Sequence, residues 1–150
     1  MKKSLKKIGI VIIVVFAIYC LVWFINSRYV YTPFTEHVPK HESGLYVYHD
    51  DKTDYTYNVK FPEFPKFTGN LGVVDNEGSG LIIWPGFFGT NYEYGVSIKD
   101  NNRTYEINLD KNMNIIDKDE ELKEVYENNK DLIKEMWDSV KDIWGNKLDI

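Results

Sequence analysis

The sequence predicts an α+β fold: an N-terminal transmembrane helix, then an antiparallel β-sheet of about five to six strands packed against one long C-terminal α-helix. Three observations lead to this prediction. An apolar run without charge opens the chain, a stretch with a period of two fills its middle, and a stretch with helical spacing ends it. These patterns divide the chain into a basic cytoplasmic tail at 1–7, an anchor at 8–25, a stalk at 26–43 and an extracytoplasmic domain at 44–150.

The apolar run at 8–25 is long enough to cross a bilayer. As a helix, its 18 residues would extend over about 27 Å, close to the thickness of the hydrocarbon core. Four lysines precede the run, and only Arg28 follows it closely. Because cationic flanks stay in the cytoplasm, the rest of the chain is predicted to lie outside the cell membrane.

Two alternatives for this segment are a cleaved signal peptide and a lipoprotein signal. The run exceeds the apolar core of about 7–15 residues that signal peptides have, and no small-x-small cleavage site follows it. Tyr19 directly precedes Cys20, where a lipid-attachment signal needs a small residue. We therefore expect an uncleaved single-pass anchor. Cys20 is the only cysteine, so the outer domain has no disulfide. Lys, Asn, Ile and Tyr are abundant in the chain, and this composition suggests a Gram-positive source.

The middle of the chain reads as a series of short strands. Three runs alternate large apolar with polar side chains, as strands with one buried and one solvated face do: 55–61, 92–98 and 105–109. Turn-forming clusters at 75–79 and 100–103 predict hairpins. The run 80–84 is apolar on both faces, so it is either a central strand or a strand that presents Trp84 or Ile82 outward.

The C-terminal part follows helical spacing from residue 117 over about six turns, which predicts one amphipathic helix. Asp117 and Glu120 have capping-box spacing, with Asp in place of Ser or Thr, and Gly145 is a natural stop. Met136 and Trp137 lie in the middle of its apolar stripe. We expect this helix to cover one face of the sheet and to leave the other face open.

The charge of the outer part limits its partners. Residues 27–150 hold 14 cations and 23 carboxylates, a net charge of −9. Phosphate groups repel such a domain, so the sequence argues against nucleic acid and against an anionic lipid surface as partners.

Two groups of residues resemble metal ligands, but each lacks a necessary part. His37 and His41 are four apart, but Pro39 between them disfavours the helix that would bring both to one metal ion. Residues 110–114 match the first ligand positions of a calcium-binding EF-hand loop, whose sixth position, a glycine in that loop, is Ile115 here. We therefore expect no metal site and no cofactor.

Catalytic signatures are also missing from the sequence. The chain has no GxSxG and no glycine-rich phosphate loop. A glycosidase needs a cleft between two carboxylates, and one sheet with one helix leaves little room for it. We expect a protein that is not an enzyme.

The aromatic residues are the more informative feature. Nineteen of the 23 lie beyond the anchor, more than one covered face can easily bury. The segment 84–89 is a turn with three large rings, which either folds back onto the core or forms an exposed contact. Acidic and amide side chains occupy the solvated side of the runs that follow. We expect a partner to bind the open face and its edge loop through Trp84, Phe87, Phe88, Glu93, Glu106 and Asn108.

Five segments with strand, turn or helix patterns follow the anchor in this order: Gly69-Asn-Leu, Gly80-Leu-Ile-Ile-Trp-Pro, Tyr92-Glu-Tyr-Gly-Val, Tyr105-Glu-Ile-Asn-Leu-Asp and an acidic helix ending in Trp144. This order resembles the membrane-anchored TipC-type immunity proteins of Gram-positive bacteria, and the resemblance covers residues 69–144. It implies a stoichiometric inhibitor, without catalysis or cofactor, of an antibacterial toxin that a type VII-like system secretes. The resemblance also implies that this toxin attacks cell-wall precursor lipids outside the membrane.

Two other functions stay open. One is an accessory subunit of the cell envelope that binds another membrane protein. The other is a glycan-binding module that stacks Trp84 and tyrosine rings on sugars. The immunity interpretation predicts a protein ligand and a neighbouring toxin gene, whereas the glycan interpretation predicts binding to purified peptidoglycan.

Overall fold

The computed structural model describes residues 2–100 and 103–148, and its layout is the predicted α+β arrangement. Helix α1 opens the chain at Lys2–Tyr31 and runs into a 3-10 turn at Thr32–Thr35. Six strands follow: β1 (Tyr46–Asp50), β2 (Tyr55–Lys60), β3 (Asn70–Val74), β4 (Gly80–Pro85), β5 (Tyr92–Asp100) and β6 (Arg103–Leu109). Helices α2 (Glu120–Asn128) and α3 (Lys130–Leu148) end the described part.

The six strands form one antiparallel meander in the order β1-β2-β3-β4-β5-β6. The register aligns large apolar side chains in a row across one face, all of them buried: Tyr57, Val73, Leu81, Val96 and Ile107. We call this the covered face. The neighbouring row belongs to the opposite face, called the open face: Asn58, Gly72, Ile82, Gly95 and Asn108.

The predicted strands and hairpins are confirmed. The three alternating runs are β2, β5 and β6, and the doubly apolar run is the interior strand β4, which places Ile82 and Trp84 on the open face. Asp75 closes the turn between β3 and β4 by accepting hydrogen bonds from three backbone N–H groups. In the other predicted turn, Asn101 and Asn102 lie outside the described residues, and the flanking strand ends Asp100 and Arg103 are paired.

The predicted single C-terminal helix is two helices that meet at Asn129. The Asn129 side chain donates to the carbonyl oxygen of Val125 at 2.8 Å, and its backbone N–H donates to Tyr126 at 3.1 Å. These bonds satisfy the end of α2 and let α3 begin in a new direction. The apolar spacing continues across the break, so the periodicity alone did not reveal it.

The ends of the helical region also differ from the prediction. The cap of α2 is Asp119, whose carboxylate accepts N–H bonds from Glu121 and Leu122, whereas Asp117 accepts the backbone N–H of Asn108 at 2.6 Å. Asp117 is thus occupied by β6 and cannot cap a helix that begins at Glu120. Gly145 does not end α3, because the helix continues to bury Leu148.

The covered face packs against α3 through a stripe of buried residues: Ile133, Met136, Val140 and Trp144. Trp137, expected in the middle of that stripe, is only half-buried and meets Tyr94 edge-on with a ring separation of 5.6 Å. The tryptophan of α3 that is fully buried is Trp144, which is 1% exposed.

The segment 26–43, expected to be a stalk, packs into this core. Val30, Tyr31, Phe34 and Val38 are buried, and Tyr31 is fully inaccessible to solvent. The polar residues and prolines between them conceal their spacing in the sequence. Because α1 runs without a break from Lys2 to Tyr31, the apolar helix is continuous with the folded domain.

Helix α1 also contains the apolar run. Its most apolar 18-residue window has a mean hydropathy of 3.0, and none of that window is buried in the fold. Among the described residues it is the one helix that is long and apolar enough to cross a membrane.

Candidate functional site

The open face carries a hollow of about 210 Å³. Strand β5 forms its floor, and β4 and β6 form its sides. Its lining includes three of the residues that the sequence singled out, together with small and apolar neighbours: Trp84, Glu106, Asn108, Ile82, Gly95 and Ser97. The alternation of the strands therefore brings predicted site residues from two non-adjacent strands to one place.

Trp84 forms the apolar part of this hollow. A Cβ atom at Gly95 would stand only 3.0 Å from Cζ3 of Trp84, so the indole lies directly against the Gly95 backbone. The ring is half-buried and stays accessible from the solvent side of the sheet. In the ladder, Trp84 is aligned with Glu93 of β5. The open face thus has one large aromatic ring beside a carboxylate.

The two glutamates of the open face are exposed and form no ion pair with another described residue. Glu93 is aligned with Trp84, and Glu106 is aligned with Ser97. Neither carboxylate lies within 4.0 Å of a cationic group among the described residues. The lysines of this face are Lys60, which is paired with Glu63 at 3.2 Å, and Lys99. Both glutamates are therefore available to a cationic group of a partner.

Asn108 has a structural role at the rim of the hollow. Its backbone N–H and its Nδ2 atom both donate to the Asp117 carboxylate, at 2.6 and 3.2 Å. The pairing holds a third carboxylate beside Asn108 and fixes the connection from β6 to α2. Asn108 thus positions negative charge beside the hollow.

Phe87 and Phe88 are not among the residues that line the hollow, and their contacts are with α1 and with Phe67. After Gly86 the chain leaves the sheet and turns toward α1, where the buried Asn26 accepts the N–H of Phe88 at 2.7 Å. Phe88 packs on Tyr29, with a ring separation of 6.1 Å. The side chain of Asn26 decides the direction of this loop, and this tertiary contact has no local signal.

These rings join a surface that the periodicity of the sequence does not predict. The loop between β2 and β3, residues 61–69, folds back along α1, and Phe67 meets Phe87 at 5.3 Å. We call Phe64, Phe67, Phe87 and Phe88 the aromatic rim. A signal for it was present, because Tyr19, Trp23 and Asn26 are polar-tipped residues spaced by four and three on one side of an apolar helix.

The residues considered as metal ligands do not gather at one point. No group of three or more His, Cys, Asp or Glu in 2–100 and 103–148 is arranged to hold a metal ion. The Asp110 carboxylate accepts the N–H groups of Asn112 and Asn114, at 2.8 and 2.9 Å, and so closes a tight turn after β6. These bonds lower the pKa of Asp110, chiefly through the N–H of Asn114.

Asp110→Asn is expected to reduce the loss of stability in acid. A carboxyl whose pKa is lowered by folding stabilises the fold above its unfolded pKa, and this contribution disappears as the pH falls through the folded pKa. The wild-type chain should therefore lose more unfolding free energy than the variant between neutral pH and about pH 3. Urea unfolding at both pH values measures this difference. Equal losses in the two proteins would show that the turn does not favour the ionised carboxyl.

The chain was compared with protein families, curated proteins and solved structures. No protein-family model, no curated protein and no solved structure matches the chain. The open face and the aromatic rim are the two surfaces of the described residues that remain without a role in the core.

Proposed function

We propose that this chain is a membrane-anchored extracytoplasmic immunity protein, which binds a secreted antibacterial toxin through the open face and neutralises it. The observation that carries the proposal is the open face itself. No helix of the described residues covers it, and it combines the half-buried Trp84 with the unpaired Glu93 and Glu106. Protein interfaces are built in this way, with an aromatic anchor among polar groups.

The anchor is supported by both ends of α1. Four lysines precede the apolar window, which favours a cytoplasmic N-terminus and an outer domain. At the other end, Asn26, Ser27, Val30 and Tyr31 are helical and buried in the domain. A signal peptidase needs an accessible, extended segment just after the apolar run, so this arrangement favours a helix that stays attached.

The shape of the face favours a protein over a small substrate. Small-molecule sites usually have volumes of about 300–1,000 Å³ and enclose most of the ligand. The hollow is smaller, at about 210 Å³. A flat face with one aromatic ring and two carboxylates suits a protein surface that presents cationic side chains.

The toxin as partner rests on the sequence resemblance and on the charge. Residues 27–150 carry 14 cations and 23 carboxylates, so a basic patch on a toxin would be steered toward this domain. An inhibitor held outside the membrane would meet a toxin that acts there. Binding without chemistry is enough for that role.

The double variant Glu93→Lys with Glu106→Lys is expected to abolish protection while leaving the fold intact. Both side chains are exposed, so their replacement should change stability by no more than about 0.5 kcal/mol, but it puts two cations where the partner is expected to place its own. The test is survival of a sensitive Gram-positive strain that produces, together with wild-type or variant chain, the toxin that the proposal predicts to be encoded beside this gene.

The matched control is Glu124→Lys with Glu135→Lys. It makes the same change of charge on α2 and α3, and both side chains are exposed. The control should protect as well as wild type. Full protection by the open-face variant, at equal surface abundance, would show that the contact is elsewhere.

A glycan-binding role is the second candidate, and Trp84 is the observation that favours it. An indole lying on a flat sheet beside carboxylate and amide groups can stack on a sugar ring. In that case purified peptidoglycan should retain the outer domain and lose it on Trp84→Ala. Retention of the toxin, and none of peptidoglycan, would decide for the immunity role.

A further inference from the structure

We propose that the aromatic rim docks the domain onto the outer leaflet of the bilayer, with the loop 61–69 dipping into the lipid beside α1. The proposal rests on the proposed membrane anchor and adds to it a second contact with lipid. It replaces the picture of a domain held above the membrane by a stalk.

The depth of the loop follows from its contacts with the apolar helix. The Phe64 ring lies 6.4 Å from Phe16, 6.0 Å from Tyr19 and 5.5 Å from Trp23. With a rise of about 1.5 Å per residue, Tyr19 lies about 9 Å along the helix before Ile25, the last residue of the apolar run. If the run 8–25 crosses the hydrocarbon core, Phe64 reaches the lipid of the outer leaflet.

Side chains of α1 satisfy backbone hydrogen-bond acceptors of the loop that water would otherwise satisfy. Three successive carbonyl oxygens accept hydrogen bonds from one side of α1. Tyr19 donates its hydroxyl to Pro65 at 2.6 Å, and Trp23 donates Nε1 to Lys66 at 2.7 Å. Asn26 donates Nδ2 to Phe67 at 3.4 Å. Non-helical backbone is tolerated at membrane depth only where protein groups satisfy it, and these three carbonyl oxygens meet that condition.

The rim presents apolar rings that the fold leaves uncovered. Phe64 is 48% exposed and Phe87 is 52% exposed. Phe88 is held at a left-handed φ of 52°, and its N–H is bound to Asn26. A residue other than glycine is strained in this backbone conformation and keeps it only where its surroundings hold it there. Aromatic rings in this setting favour the boundary between lipid and water.

The two loops beside α1 carry less charge than the two turns at the far end of the sheet. The turns at the end of the sheet far from α1, 51–54 and 75–79, hold four carboxylates and one lysine. The loops next to α1, 61–69 and 86–91, hold only Glu63 and Lys66. Glu63 is paired with Lys60, and Arg28 lies over the rings of Phe24 and Phe61. These two loops therefore add little to the repulsion from anionic lipid that the net charge predicts.

The test uses the full chain with Cys20→Ser, reconstituted in vesicles of phosphatidylcholine and phosphatidylglycerol. Single cysteines are introduced by Phe64→Cys and Phe87→Cys and labelled with an environment-sensitive fluorophore, and lipids with a nitroxide on the acyl chain serve as quencher. Glu77→Cys, in a far turn, is the matched control in water, and Ile12→Cys is the control in the apolar run. Lys66→Cys, with an exposed side chain, replaces Phe64→Cys if that variant fails to fold.

We expect several-fold stronger quenching at positions 64 and 87 than at 77, approaching that at 12. Quenching at 12 with labels at 64 and 87 as unquenched as at 77 would overturn the docking and leave the anchor standing. An unquenched label at 12 would overturn the anchor, and the docking with it.

Discussion

Removing residues 1–43 is expected to unfold the outer domain, whereas removing residues 1–25 is expected to leave it folded. The difference lies in four buried side chains of the intervening segment: Val30, Tyr31, Phe34 and Val38. Burying one large apolar side chain contributes about 1.5–3 kcal/mol. Four of them contribute about 6–12 kcal/mol, as much as the whole stability of a typical domain, which is about 5–15 kcal/mol.

The measurement is thermal unfolding of chains 26–150 and 44–150 by circular dichroism, both in the same mild detergent because the aromatic rim is apolar. The longer chain should melt cooperatively and the shorter chain should show no transition. Tyr31→Ala and Tyr29→Ala in the longer chain form a matched pair, because Tyr31 is buried and Tyr29 is 67% exposed. A cooperative transition of 44–150 at the same temperature would mean that the segment is a stalk after all.

The sheet could be predicted from the sequence because each alternating run needs only its own period. Tyr57, Val96 and Ile107 fall on one face by that period, and the structure aligns them in one row. The same alternation put Glu93 and Glu106 on the opposite face. A one-residue shift would turn every apolar side chain of a strand to water, so a strand with one buried face has little freedom of register.

The missed features depend on contacts between distant parts of the chain. Tyr31 is buried, and its hydroxyl accepts the N–H of Gly69 at 2.7 Å, 38 residues away. The direction of Phe87 and Phe88 follows from Asn26, and neither relation leaves a periodic pattern. The break at Asn129 was invisible for the opposite reason, because the apolar spacing continues through it. Sequence periodicity therefore located the faces of the sheet and missed how α1 joins them.

Trp144→Ala is expected to destabilise the domain by about 3–5 kcal/mol, which is the usual cost of removing a large buried aromatic ring. The indole is 1% exposed and packs edge-on between Phe34 and Tyr57, with ring separations of 6.2 and 5.9 Å. Its Nε1 donates to the Phe34 carbonyl oxygen at 3.1 Å. One side chain thus joins α3 to the sheet and to the segment that follows α1.

Two companion variants separate the parts of that effect. Trp144→Phe keeps most of the ring and removes the N–H donor, so it should cost about 1–3 kcal/mol, the range for leaving a buried carbonyl without its partner. Trp137→Ala removes an indole from the same helix that is only half-buried, so it should cost less than Trp144→Ala. Urea unfolding of chain 26–150 gives all three values on one scale. If Trp137→Ala proves the more costly of the two alanine variants, the core is centred on the β5 side of α3, and the link through Phe34 contributes little to the stability of the fold.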